Sequence, residues 1–189
     1  MVVGLVLFLG AHVLTAQRGA RARLIASMGE GTYKIAYSLV ALAGLVLIVW
    51  GFAHYRSDEF RAVWDPPKFL KHLNIALMLS AVILVVAAYL RGRIYTAVKH
   101  PMLAGVKLWA FGHLLANGDL GGIILFGSIL AWAVYDRISL KRRADPGAPP
   151  IPVGGIGNDL IAVVVGIIAY LALAFAFHPV VLGIPVMGS

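Results

Sequence analysis

Six histidines, one lysine inside an apolar run and no cysteine define the chemistry this chain can offer. Without thiols there are no disulfides, iron–sulfur clusters, thiolate haem ligands or cysteine nucleophiles, so imidazoles, carboxylates, hydroxyls and amides carry whatever chemistry exists. His12, in "LFLGAHVLTA", and His113, in "KLWAFGHLLAN", have apolar or small residues on both sides. An ionisable group there is costly within a membrane and marks a functional site unless it can snorkel to the interface. His54, His72 and His178 fall at the outer ends of apolar runs, where an imidazole reaches headgroups or water. His100 directly precedes Pro101, the arrangement of a helix start.

The stretch 100–119, "HPMLAGVKLWAFGHLLANGD", separates into faces when wound as a helix. At ~100° per residue, His100 and His113 are about 220° apart, so a straight helix aims them differently. His113 shares its face with Trp109 and Asn117, four residues before and after it. His100 shares a face with Lys107, whose ammonium can aim at headgroups or at an anionic group. Asn117-Gly118-Asp119 reads as a tight turn. Counting ~1.5 Å per residue from the basic boundary residues puts His12 roughly 9 to 14 Å and His113 roughly 21 Å above the inner boundary. On spacing alone the pair suits a metal or haem, a proton relay or helix–helix hydrogen bonds. Zinc hydrolysis lacks its signature: no HExxH occurs, and the acidic residues gather at helix ends and loops. Small residues at Gly4, Gly10, Ala11, Gly105 and Gly112 permit close helix approach or room for a planar ligand.

These groups need a scaffold, and composition points to a bilayer. Hydrophobic residues make up 61% and charged residues 13% of the chain, with a mean hydropathy of +0.90. Apolar runs predict helices near 2–17, 33–53, 70–90, 101–117, 119–136 and 159–182. The expected fold is all-α, a polytopic membrane bundle of about six transmembrane helices forming a single domain over 1–189. The first run carries its arginines after the apolar part, which reads against a cleaved secretory leader. Connections 17–34, 91–100 and 136–158 hold 4, 3 and 4 Lys or Arg, against 4 and 0 in 54–71 and 117–119. By the positive-inside rule both termini then lie on the outer side and the basic connections face the cytoplasm. Basic segments beside anionic lipid account for the formal charge of +8 without nucleic acid. Loop 54–69, with Trp64 and Pro66-Pro67, suits an interfacial anchor, a short helix or a lid, and 144–157 is a Pro/Gly linker.

Over about 5–136 the chain resembles the NnrU family of bacterial membrane proteins. The resemblance rests on His12 and Arg18, "GEGTYKIAYSLVALAGL" at 29–45, His100-Pro101, "HLLANGD" at 113–119 and Phe126-Gly127. It implies a link to denitrification and nitric-oxide metabolism. The family is similar to the plant 15-cis-zeta-carotene isomerase, a membrane enzyme with histidine-ligated haem b, whose ligand positions correspond to His12 and His113. Where that enzyme has a cysteine implicated in a ligand switch, this chain has Ala110. The resemblance therefore implies haem b bound through His12 and His113, with redox-linked or isomerase-like chemistry. Thr15, Asn117 and backbone carbonyls would orient the imidazoles. His100, Lys107, Arg18 and Arg21 would serve the propionates, and Trp109 would line the site. Implied partners are the lipid bilayer, haem, a small apolar or nitrogen-oxide substrate and an electron-transfer partner. The rival roles are a polyene cis-trans isomerase and a non-enzymatic transporter or scaffold for denitrification enzymes.

Overall fold

Long apolar segments cannot leave their backbone groups unpaired in hydrocarbon, and helices solve this within each segment. The structure, a computed structural model, describes residues 1–143, 152–184 and 186. The helices are α1 (Val2–Ala16), α2 (Arg18–Met28), α3 (Glu30–Asp58), α4 (Lys68–Leu90), α5 (Arg93–Val98), α6 (Pro101–Ala116), α7 (Leu120–Arg142), α8 (Ile156–Ala172) and α9 (His178–Val181), with a π-helical turn at Leu173–Phe177 joining the last two. Among the described residues there is no strand, and Ala62 and Asp119 form an isolated antiparallel bridge. α3, α4, α7 and the continuous stretch Ile156–Val181 are long and apolar enough to cross a bilayer. A fifth crossing exists if α1 and α2, bent by 94° at Gln17, count together. Outward faces are apolar, as lipid requires: Leu39, Val49 and Trp50 on α3 are 62%, 60% and 68% exposed. The chain is thus an all-helical, multi-pass membrane protein.

Several boundaries depart from the sequence reading. The basic stretch after the first run is a second helix, α2, because the chain turns at Gln17 and resumes helical geometry until Gly29 at φ 83°. α6 has 16 residues, about 24 Å of helix, which is short of a ~30 Å hydrocarbon core. Residues 59–67 form no helix. The Val63 and Trp64 N–H groups donate to the Gly118 carbonyl at 2.7 and 3.0 Å, so the loop is tied down as extended chain. Of the linker read at 144–157, residues 144–151 lie outside the described residues.

The helices gather into two compact units, one holding α1, α2, α3 and α7 and the other α4, α5, α6, α8 and α9. In the first unit α1 crosses α3 at paired glycines. A Cβ on Gly4 would stand 2.6 Å from the Ile48 nitrogen, and one on Gly44 would stand 2.7 Å from the Phe8 nitrogen. Only hydrogen fits at such a crossing, the small-residue packing expected where lipid and side chain are equally apolar. Gly10 differs, since its Cβ position has nothing within 4 Å. In the second unit α4 lies between α6 and α8. A Cβ on Gly105 would stand 2.8 Å from the Ala81 carbonyl oxygen, and one on Gly166 would stand 2.7 Å from Ile83. The Asp159 carboxylate accepts the Arg93 and Ile94 N–H groups, both at 3.0 Å, and so joins the starts of α5 and α8.

Candidate functional site

His12 sits in the third turn of α1 with its Nδ1 on the Phe8 carbonyl at 2.7 Å. A carbonyl can only accept, so Nδ1 carries the hydrogen and the neutral ring keeps its lone pair on Nε2. Three aromatic rings surround the imidazole. Phe8 lies at 4.3 Å, and Trp132 of α7 and Tyr37 of α3 meet it edge-on at 5.2 and 5.6 Å between centroids. Trp132 Nε1 is buried without a hydrogen-bond partner, so a donor beside His12 remains unsatisfied. Thr15, expected to hold the imidazole, bonds the His12 carbonyl instead, at 2.7 Å. A helical serine or threonine hydroxyl often folds back in this way onto the preceding turn.

His113 repeats the arrangement in the second unit. Its Nδ1 donates to the Trp109 carbonyl at 2.8 Å, which again assigns the lone pair to Nε2. The Trp109 ring lies 5.2 Å from the imidazole, and Asn117 donates from Nδ2 to the His113 carbonyl at 2.8 Å, not to the ring. Trp109, His113 and Asn117 therefore do share one face of α6, as their spacing predicts. Gly112, beside His113, is pressed against Asn74 of α4, whose Oδ1 is buried without a partner. His100 is the N-cap of α6 and its carbonyl accepts from Ala104 at 3.0 Å, which makes it a helix-start residue. Lys107 is half-buried on the same helix, and Arg18 opens α2 in the first unit.

One neighbour of His113 escaped sequence reasoning. The His178 ring lies 6.5 Å from that of His113, inclined by 24°. Proline at 179 has no N–H to give the carbonyl four residues earlier, and its ring would collide with that oxygen. The preceding turn widens to the π form over Leu173–Phe177, and the Leu173 carbonyl accepts both the backbone N–H and, at 2.7 Å, the Nδ1–H of His178. Counting at 3.6 residues per turn misses this shift. Its available signal was the second His-Pro pair, 178–179, echoing 100–101.

Among the described residues, no three His, Asp or Glu side chains cluster as the ligand set of a metal ion. A haem asks less of the protein, since the porphyrin supplies four donors and the chain one or two imidazoles. The imidazoles here fit that requirement: each has Nδ1–H fixed by a carbonyl and Nε2 in the ligating form.

No curated protein and no solved structure matches this chain. The sequence model of one family, described as NnrU protein, matches residues 1–186. The match takes in α8, α9 and His178, beyond the 5–136 stretch that carried the resemblance. The chain belongs to the NnrU family.

Proposed function

We propose that this NnrU protein binds haem b in the bacterial inner membrane, with His12 and His113 as the imidazoles offered to the iron, and serves redox-linked or isomerase-like chemistry. In this reading α1 and α6 complete six crossings and both termini face the periplasm. The observation that carries it is the shared tautomer. Both imidazoles hold Nδ1–H on the carbonyl four residues earlier, both are flanked by a tryptophan, and both therefore keep a lone pair on Nε2. Two histidines prepared alike within largely apolar helices are more than helix packing requires.

Haem b held by His12 and His113 would supply one-electron chemistry. The chain's own residues do the rest. The Phe8 and Trp109 carbonyls hold the two rings in orientation. The aromatic rings of Phe8, Tyr37 and Trp132 keep water from His12. Arg18 and Lys107, with His100, provide donors for propionate carboxylates. Ala110, fully buried in α6, offers no sulfur to iron.

The test is the absorption spectrum of the purified protein, oxidised and reduced, with pyridine haemochrome analysis. A Soret band and haem b at one per chain are expected, weakened in His12→Ala and in His113→Ala and lost in the double variant. A cofactor-free protein, or full haem content in the double variant, overturns the assignment.

A further inference from the structure

The first unit contains a cleft whose lining shares only Tyr37 with the residues of the haem reading. It has a volume of about 300 Å³, at the small end of ligand-binding cavities, and lies where α1, α2 and α3 meet. Val6, Gly10 and Leu14 of α1, Leu24 of α2, and Tyr33 and Tyr37 of α3 line it. Its walls are apolar, yet two polar features mark it. Arg21 holds its guanidinium 5.7 Å from the centroid of the lining Tyr33 ring. Tyr33 is 5% exposed, and its hydroxyl is buried without a hydrogen-bond partner. A buried phenol normally finds one.

The surrounding helices show what belongs there. α1 is apolar apart from His12 and Thr15, whereas α2 leaves it at 94° and carries Arg18, Arg21 and Arg23 with no acidic residue. A basic helix perpendicular to an apolar one lies along the membrane surface, where anionic headgroups collect. At ~100° per residue Arg21 lies about 20° from Met28 and about 60° from Leu24 around α2, and both of these line the cleft, so cation and apolar wall occupy one face of α2. The geometry points to a binding site for one anionic phospholipid, its phosphate at Arg21 and its acyl chain in the cleft beneath Gly10. Gly10 supports this, because a side chain there would meet no protein atom within 4 Å and would project into the space a chain occupies. The Tyr33 hydroxyl, buried without a partner, can donate to phosphate or ester oxygen.

Native mass spectrometry of the full-length protein, delipidated in detergent and titrated with phosphatidylglycerol or phosphatidylcholine of identical chains, tests the site. Wild type should retain phosphatidylglycerol at least about fivefold better, the effect of one arginine near anionic lipid. Arg21→Gln should remove that preference while neutral lipid still binds. Gly10→Leu should block retention of both lipids, and its unchanged thermal transition would show that it folds. Inorganic phosphate alone should not bind. Equal retention of the two lipids by wild type overturns the proposal, as does wild-type behaviour in both variants or phosphate binding as tight as that of the lipid.

Discussion

The stretch "HLLANGD" ends in Asp119, whose carboxylate has a structural task that can be measured. Asp119 is 4% exposed and is the N-cap of α7, where its Oδ1 accepts the Gly122 N–H at 2.7 Å. Replacing it with alanine removes a cap, typically worth about 1 kcal/mol. It also leaves the Gly122 N–H buried and unpaired, a cost of about 1–3 kcal/mol that overlaps with the first. Loss of a negative charge at the positive end of the helix adds about 0.3–1 kcal/mol. Taken together the loss is about 2 kcal/mol, or roughly 4–8 °C in the unfolding midpoint of a chain this size. Asp119→Asn keeps the acceptor and forfeits only the charge, so it should lose no more than about 1 kcal/mol. The backbone bridge from Asp119 to Ala62 survives both changes. Thermal unfolding of the detergent-solubilised variants gives the ordering wild type, then Asn, then Ala. An alanine variant as stable as wild type, or asparagine as damaging as alanine, refutes the capping argument.

Two further outcomes follow from packing. Gly4→Ala places a Cβ 2.6 Å from the Ile48 nitrogen and should cost about 1–3 kcal/mol by forcing α1 off α3, whereas Gly10→Ala, with open space around it, should be neutral or stabilise by up to about 1 kcal/mol; paired thermal melts separate them. On the proposed haem assignment, His178→Ala removes the ring beside His113 and should leave haem content near that of wild type while shifting the electron paramagnetic resonance of the iron; loss of haem equal to that in His113→Ala would make His178 a ligand instead.

Much of the scaffold was legible because hydrophobic runs of bilayer length have few alternatives to helix. The start of α6 at Pro101 and the face shared by Trp109, His113 and Asn117 followed directly from proline chemistry and helical spacing. What hydropathy could not see was α2, since a basic segment reads the same whether it is a loop or a helix lying on the membrane. It also could not assign hydrogen-bond partners. Thr15 and Asn117 are spaced to serve the imidazoles, but the carbonyls of His12 and His113 lie closer along the helix and claim them. Two of the three rings about His12, Tyr37 and Trp132, come from α3 and α7, and such tertiary neighbours leave no trace in local spacing.

The two His-Pro pairs show how one dipeptide yields different geometry in different surroundings. At 100–101 the chain enters from a turn, so Pro101 takes the first helical position, where its missing N–H costs nothing, and His100 is the N-cap residue. At 178–179 the proline falls on a helix already running, and the missing hydrogen bond is absorbed by a π turn. That turn brings the His178 backbone and side-chain donors onto one oxygen, Leu173 O, and leaves the ring against His113. Three imidazoles thus end with Nδ1–H on a carbonyl of their own helix and the lone pair on Nε2. Two reach that state through the ordinary four-residue spacing and one through five, so the common feature is the ligating tautomer, not the spacing.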